Sequence, residues 1–224
     1  MIGGTSWHST AMYYEQINKG VARRKGGAAS APLLIESLDF ETYHHLQQVG
    51  DWDGVAEMLV GSALRLEQAG AVGLILCSNT AHKLYDRIDG DIRVPMIHVG
   101  DVTAARLEKD GVKRVGLIGT RFTMNEGFFR ERIETSGITV SLPDAATQKE
   151  IDRIIFEELS RGMVSRVSQR TLKTCLTLMS QARQQGVILG CTELVMLIDP
   201  GATVLPVYDI TKLHADAAVE WILA

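Results

Sequence analysis

Two stretches of this 224-residue chain echo one another, and the echo limits the folds open to it. Leu76-Cys77-Ser78-Asn79-Thr80 and Leu189-Gly190-Cys191-Thr192-Glu193 each end an apolar run and open a helical pattern. A Gly-Thr turn precedes each, Gly4-Thr5 in one half and Gly119-Thr120 in the other. Thr5 and Ser78 are 73 positions apart, Thr120 and Cys191 71. Pro95 and Pro206 follow 17 and 15 positions later, each in a short apolar strand pattern, Val94-Pro95-Met96-Ile97-His98 or Leu205-Pro206-Val207-Tyr208-Asp209. Strand and helix patterns alternate, which calls for parallel strands covered by helices on both faces. The expected fold is therefore α/β, with two pseudosymmetric doubly wound lobes, mainly parallel sheets and a cleft between them. Residues 1–99 plus 208–224 are expected to form the first lobe and residues 100–207 the second.

Strands are expected at Met1-Ile2, Leu33-Leu34-Ile35, Ala71 to Cys77, Val115 to Ile118 and Val187 to Leu189. Helices are expected after a Ser9-Thr10 cap, and over Trp52 to Ala69, Thr103 to Lys109, Ile151 to Leu159, Thr171 to Gln184 and Lys212 to Leu223. Folds of this kind place their sites at the carboxyl ends of strands. Four such ends carry Thr5, Ser78, Thr120 and Cys191.

A net charge of −4 argues against a partner bound through its phosphate backbone, so no nucleic acid is expected. No run approaches the roughly 18 apolar residues of a membrane span, and no basic-then-apolar leader opens the chain. Cys77, Cys175 and Cys191 form no Cys-x-x-Cys pair, which points to free thiols in a reducing cytoplasm. His44 and His45 are adjacent, and His8, His82, His98 and His214 are scattered, so no metal set is expected. Neither Gly3-Gly4 nor Gly116-Leu117-Ile118-Gly119 completes a dinucleotide or phosphate-loop signature. Arg23-Arg24-Lys25 before Gly26-Gly27 reads as a helix C-terminus.

Cys191 lies between a strand and a helix start. There, backbone N–H groups and the helix dipole would lower its pKa from about 8.5 and make a thiolate, able to act as nucleophile or base. A buried, inert thiol is the alternative reading. Ser78 is the counterpart in the other half. Cys77 should point to the opposite face of the strand and Cys175 falls on a helix stripe, so both read as core. Asn79 and Thr80 offer donors to a carboxylate or simply cap a helix.

The blocks Gly3-Gly4-Thr5-Ser6-Trp7, Cys77-Ser78-Asn79-Thr80-Ala81-His82, Gly119-Thr120-Arg121-Phe122-Thr123 and Gly190-Cys191-Thr192-Glu193 resemble the aspartate/glutamate racemase family, in order along nearly the whole chain. The resemblance is nearest to its bacterial aspartate/glutamate or broad-specificity branch. It implies an isomerase that needs no pyridoxal phosphate or other cofactor, often a homodimer, with two cysteines on opposite sides of the substrate α-carbon. It implies that Thr5, Gln47, Asn79, Thr80, Thr120, Thr123 and Thr192 bind the amino-acid substrate, with Cys191 and Ser78 as the catalytic pair.

This chain departs from the family pattern in four places. Ser78 holds the first cysteine's position, and a hydroxyl is a poor base near neutral pH, so the expected enzyme starts well from the L-enantiomer and poorly from the D. Phe156 and Ser160 stand where aspartate racemases show Tyr and Lys, leaving Arg121 or Arg161 to bind a distal carboxylate. Thr5 replaces a frequent Met. The first strand is only two residues long, through a misplaced start or a lost ladder partner. A related decarboxylase or isomerase of the same superfamily, and an amino-acid sensor of weak activity, are the alternative functions.

Overall fold

The computed structural model describes residues 1–224. Eight short strands alternate with ten α-helices: β1 (Ile2–Gly3), α1 (Trp7–Lys25), β2 (Glu36–Ser37), α2 (Phe40–Val49), α3 (Trp52–Gln68), β3 (Leu74–Ile75), α4 (Tyr85–Asp91), β4 (Met96–Ile97), α5 (Val99–Lys109), β5 (Arg114–Ile118), α6 (Arg121–Asn125), α7 (Gly127–Glu134), β6 (Thr139–Ser141), α8 (Ala145–Arg153), α9 (Arg166–Gln181), β7 (Val187–Leu189), β8 (Val207–Asp209) and α10 (Ile210–Leu223). Two compact units result: Met1–His98 with His214–Ala224, and Val99–Leu213. No helix is long and apolar enough to cross a membrane.

The two units share one strand order. In the first, β1 pairs with β2 in parallel (Ile2 opposite Glu36), a single bridge joins Ile2 to Leu76 beyond the end of β3, and β3 pairs with β4 (Leu74 opposite Met96). The order is β2-β1-β3-β4. The second unit runs β6-β5-β7-β8, all parallel, with Gly116 opposite Val187 and Ile188 opposite Tyr208. Parallel neighbours need a crossover, and the intervening helices supply it.

Strand alternation sorts the side chains into two layers per unit. Leu74 and Leu76 pack with Tyr43, Val55, Leu59 and Ile88 on the α2–α3 side, while Ile75 and Cys77 pack with Tyr13, Ile17, Ala215 and Val219 on the α1–α10 side. In the second unit Val187, Leu189 and Cys191 join Leu172, Leu176 and Ile154, whereas Ile188 and Leu117 join Phe129 and Ile133. Each large aliphatic side chain withdrawn from water contributes about 1.5–3 kcal/mol. Cys77 and Cys175 are core residues, as their patterns predict. Burial pushes the Cys77 thiol up to about 12 and the Cys175 thiol up to about 11.

Two local expectations differ. The strand expected at Leu33-Leu34-Ile35 lies instead at Glu36–Ser37, and Leu34 and Ile35 are half-exposed. A parallel strand forms only where partners exist, and these are Ile2 and Gly3. The first helix is capped by Ser6, whose hydroxyl accepts the Ser9 N–H at 3.4 Å, rather than by Ser9-Thr10. Thr10 serves the turn instead, its hydroxyl accepting the Gly4 N–H at 2.8 Å and donating to the Ser6 carbonyl at 3.0 Å. Gly4 has φ +80°, and a Cβ there would collide with the Leu38 backbone, so the turn after β1 requires glycine.

A histidine cluster fills the first unit below β4. His214 is fully buried; its Nε2–H donates to the Ile97 carbonyl at 2.9 Å and its Nδ1 accepts the Tyr13 hydroxyl at 2.9 Å. The His82 ring lies 5.4 Å from His214 and 4.9 Å from His98. Burial, then the His82 charge, pushes His214 down to about 3. Below pH 6.5 the unfolded chain therefore binds a proton that the folded chain refuses, and stability falls as pH falls. The expected loss from this group is about 2 kcal/mol between pH 6.5 and 5, above the range where most carboxylates titrate. Urea unfolding at both pH values checks it, and His214→Gln should flatten that slope.

Candidate active site

In the first unit the site residues gather at the ends of β1 and β3. Thr5 follows β1 and is buried, and its hydroxyl has no hydrogen-bond partner within the protein. Buried hydroxyls are rarely left so, and an uncommitted one beside a strand end is available to a ligand. Ser78 is half-buried and continues the Leu74–Leu76 face, which brings it to α2. Its Oγ accepts the Ala81 N–H at 3.3 Å and is hydrogen-bonded to the hydroxyl of Tyr43. Gln47 Nε2 donates to that same hydroxyl at 2.9 Å. Gln47 and Ser78, 31 positions apart, are thus joined through Tyr43. The Ser78 carbonyl accepts the His82 Nδ1–H at 2.7 Å. Asn79 is buried, and Thr80 opens a 3₁₀ turn, Thr80–Leu84, rather than an α-helix.

In the second unit the residues gather at the ends of β5 and β7. Thr120 caps α6: its hydroxyl accepts the Thr123 N–H at 3.3 Å and lies 3.2 Å from the Thr123 hydroxyl. Both are buried. Gly190 approaches this turn so closely that a Cβ on it would lie 2.8 Å from Thr123 Cγ2 and 3.1 Å from the Ile118 carbonyl. The glycine before Cys191 is therefore what lets the two strand ends meet. Cys191 itself is extended (φ −140°, ψ 135°) and 8% exposed, the first residue beyond β7 on the buried face.

The electrostatics of Cys191 overturn the expected lowered pKa. The helix that follows is a five-residue 3₁₀ turn, Thr192–Met196, too short to carry a useful dipole. The charge nearest the thiol is a carboxylate. Sγ–H donates to Glu193 Oε2 at 2.9 Å, and the Thr192 hydroxyl donates to the same oxygen at 2.5 Å. Burial first, then the charge and hydrogen bond of Glu193, hold the Cys191 thiol well above its ordinary value, against a weaker opposing pull from the Glu193 backbone N–H. The resting group is a neutral thiol with an acceptor for its proton already in place. Thr192, expected to bind substrate, has its hydroxyl proton committed to Glu193.

Two further expectations concern cations. The Arg121 guanidinium lies 4.0 Å from Asp152 and 4.8 Å above the Phe122 ring, and its backbone N–H donates to Asp152 at 2.7 Å. Ser160 donates to the Phe156 carbonyl at 2.6 Å, and Arg161 is exposed. No group of three or more His, Cys, Asp or Glu side chains is placed to hold a metal ion.

Sequence reasoning missed Tyr43 and the role of Glu193. Tyr43 sits on the apolar stripe of α2 and reads as core; only the fold brings Ser78 to its hydroxyl. The Cys-Thr-Glu order was visible, but whether Glu193 turns back onto the thiol depends on the 3₁₀ turn.

The chain matches the model of the Asp/Glu/hydantoin racemase family over residues 2–218. It is 38% identical to an Asp/Glu racemase candidate from Yersinia pestis, whose crystal structure superposes with a TM-score of 0.94 over 100% of this chain and 97% of that one. An aspartate racemase homologue from Pyrococcus horikoshii OT3 is 32% identical, with a TM-score of 0.87 over 100% and 97%. The broad-specificity amino-acid racemase RacX of Bacillus subtilis is 25% identical over 176 residues, 78% of this chain and 75% of RacX. A thiol at one strand end, a hydroxyl at the equivalent end and a match over almost the whole sequence lead to one assignment: the chain belongs to the Asp/Glu/hydantoin racemase family and is an isomerase.

Proposed function

We propose that this chain is a pyridoxal-phosphate-independent amino-acid racemase that interconverts the L and D forms of aspartate, glutamate or a wider set of amino acids. Cys191 removes the α-proton, and Ser78, in place of a second thiol, supplies one to the other face of the α-carbon, so that the enzyme works best from the L side. The observation that carries this reading is the Cys191–Glu193 pair: a thiol at a strand end whose proton already has a carboxylate acceptor 2.9 Å away.

The α-hydrogen of a free amino acid is far less acidic than any side chain. A racemase must form a strong base only when substrate is present and must stabilise the negative charge that develops on the substrate. Transfer of the Sγ proton to Glu193 forms the thiolate inside a water-poor site, where it acts strongly. The thiolate then takes the α-proton. Thr5, Gln47, Asn79, Thr80, Thr120 and Thr123 are the proposed substrate shell, neutral groups suited to a carboxylate, while the Thr192 hydroxyl stays with Glu193 and helps hold the carboxylate that takes the Sγ proton. Arg121 already faces Asp152, which favours a wide substrate set over strict aspartate specificity. A homodimer and a cytoplasmic location belong to the same proposal.

The L preference has a thermodynamic limit. The two enantiomers have equal free energy, so kcat/KM must be the same in both directions. The asymmetry appears in kcat and in α-hydrogen exchange. A panel of L- and D-amino acids in D2O, followed by proton NMR and chiral chromatography, tests the reading. The expected result is loss of the α-proton signal from L substrates ahead of the appearance of D product, with slow exchange from D. Carbon dioxide release without exchange would instead indicate a decarboxylase. Thermal stabilisation by amino acids without exchange would indicate a sensor.

A further inference from the structure

We propose that His82 is a positioning residue for the proton transfer at Ser78; this rests on the racemase reading above and names what sets the serine hydroxyl. The two strand ends fold their next turns differently. After β7 the Leu194 N–H donates to the Cys191 carbonyl at 3.3 Å, the ordinary bond between residues three apart in a 3₁₀ turn. After β3 the corresponding N–H, that of Ala81, donates to the Ser78 hydroxyl oxygen at 3.3 Å. The Ser78 carbonyl is taken by the imidazole of His82, whose Nδ1–H donates to it at 2.7 Å. Val195 stands four residues after Cys191, where His82 stands four after Ser78, and valine has no side-chain donor for a carbonyl. The imidazole thus occupies the carbonyl and leaves a backbone N–H for the reacting oxygen.

The ring is wedged in place. His82 is buried, and its ring stands edge-on to those of His98 and His214, at 4.9 and 5.4 Å, and parallel to that of Tyr85 at 6.4 Å. Two of these neighbours are tied down in turn: His214 Nε2–H donates to the Ile97 carbonyl at 2.9 Å, and the Tyr85 hydroxyl to the Met96 carbonyl at 2.7 Å. The backbone N–H of His82 also donates to the Asn79 carbonyl at 2.9 Å, so one residue grips two successive carbonyls of the segment that carries Ser78, Asn79 and Thr80. When Ser78 gives its proton to the α-carbon, the O–H bond breaks, the Cα–H bond forms and the electron pair stays on Oγ, which holds the Ala81 N–H. A preorganised donor aimed at developing negative charge lowers the barrier. Solvent water then reprotonates Oγ, and the hydroxide left behind takes the proton that Glu193 received from Cys191, which restores the charge over the cycle. The contact stabilises one transition state crossed in both directions, as equal kcat/KM requires.

The test uses the full chain with saturating L substrate in D2O and reads two rates, α-hydrogen exchange into L and inversion to D. An asparagine amide puts its N–H where Nδ1–H stands, whereas the glutamine amide reaches the Nε2 position. His82→Asn is expected to keep inversion within about fivefold of wild type. His82→Gln is expected to lower inversion by about a hundredfold, the scale of a misplacement of about 1 Å, while exchange, whose proton steps use only Cys191, stays within about threefold. A role in packing alone treats the two amides alike. Equal inversion-to-exchange ratios in the two variants, or an unchanged ratio in His82→Gln, overturn the proposal alone. Nitrogen NMR of histidine-labelled wild type serves even if His82→Gln fails to fold: the expected His82 signal is the Nδ1–H tautomer at the pH of activity, and an Nε2–H tautomer overturns the proposal. A wild-type protein that exchanges no amino acid of the panel overturns the racemase reading and this role with it.

Discussion

Cys191→Ser is expected to abolish α-hydrogen exchange from L-amino acids, a loss of about a thousandfold or more, with the folded structure retained. The loss lies within what removal of one acid–base group costs. Serine matches the thiol in shape and hydrogen-bonding, so the Glu193 contact survives, but its proton is held too tightly to be surrendered at neutral pH. Proton NMR in D2O measures the rate, and thermal unfolding checks the fold. The pH dependence has a definite sign. Burial and the Glu193 charge both push the Cys191 thiol up, so the thiolate is scarce at neutral pH and exchange should rise as pH rises. In Glu193→Gln the charge is gone and its upward push with it, so the limb should move to lower pH; the neutral-pH rate falls because the proton acceptor is lost. Exchange that persists undiminished in Cys191→Ser would move the base to another residue.

Ser78→Cys is expected to raise exchange from D-amino acids by about a hundredfold. A thiol ionises near pH 8.5 and an alcohol does not ionise in the accessible range. The position is half-buried, not fully enclosed. Because kcat/KM stays equal in the two directions, the readout is the balance between exchange and inversion. Wild type is expected to exchange L substrate many times without inversion for each D molecule formed. In Ser78→Cys the two sides approach parity. If wild type already exchanges D and L at equal rates, Ser78 has not made the enzyme one-sided.

Much of the plan was legible in the chain because it depends on local order. The echo of Gly4-Thr5 and Ser78 with Gly119-Thr120 and Cys191 foretold two parallel units, and both run their strands in the same spatial order. The period-two alternation placed Cys77 in the core and left Ser78 on the other face. Where the reading failed, the deciding contact lay elsewhere in the sequence or turned on backbone detail. The strand expected at Leu33 to Ile35 moved to Glu36–Ser37 because its register depends on β1, a partner more than thirty residues away. The helix dipole expected to acidify Cys191 is absent because the chain enters a 3₁₀ turn, and that same turn delivers Glu193 to the sulfur.

The sequence by itself determined the α/β class, the repeated unit and the residues at the strand ends, since hydrophobic period and turn chemistry are properties of neighbours along the chain. Only the tertiary structure decided how those residues are electrically set. It gave the thiol a carboxylate in place of a helix end, and it put a buried phenol behind the alcohol. Acidity and hydrogen-bond direction depend on what surrounds a group in space, and for Ser78 that surrounding comes from α2, thirty-five residues upstream.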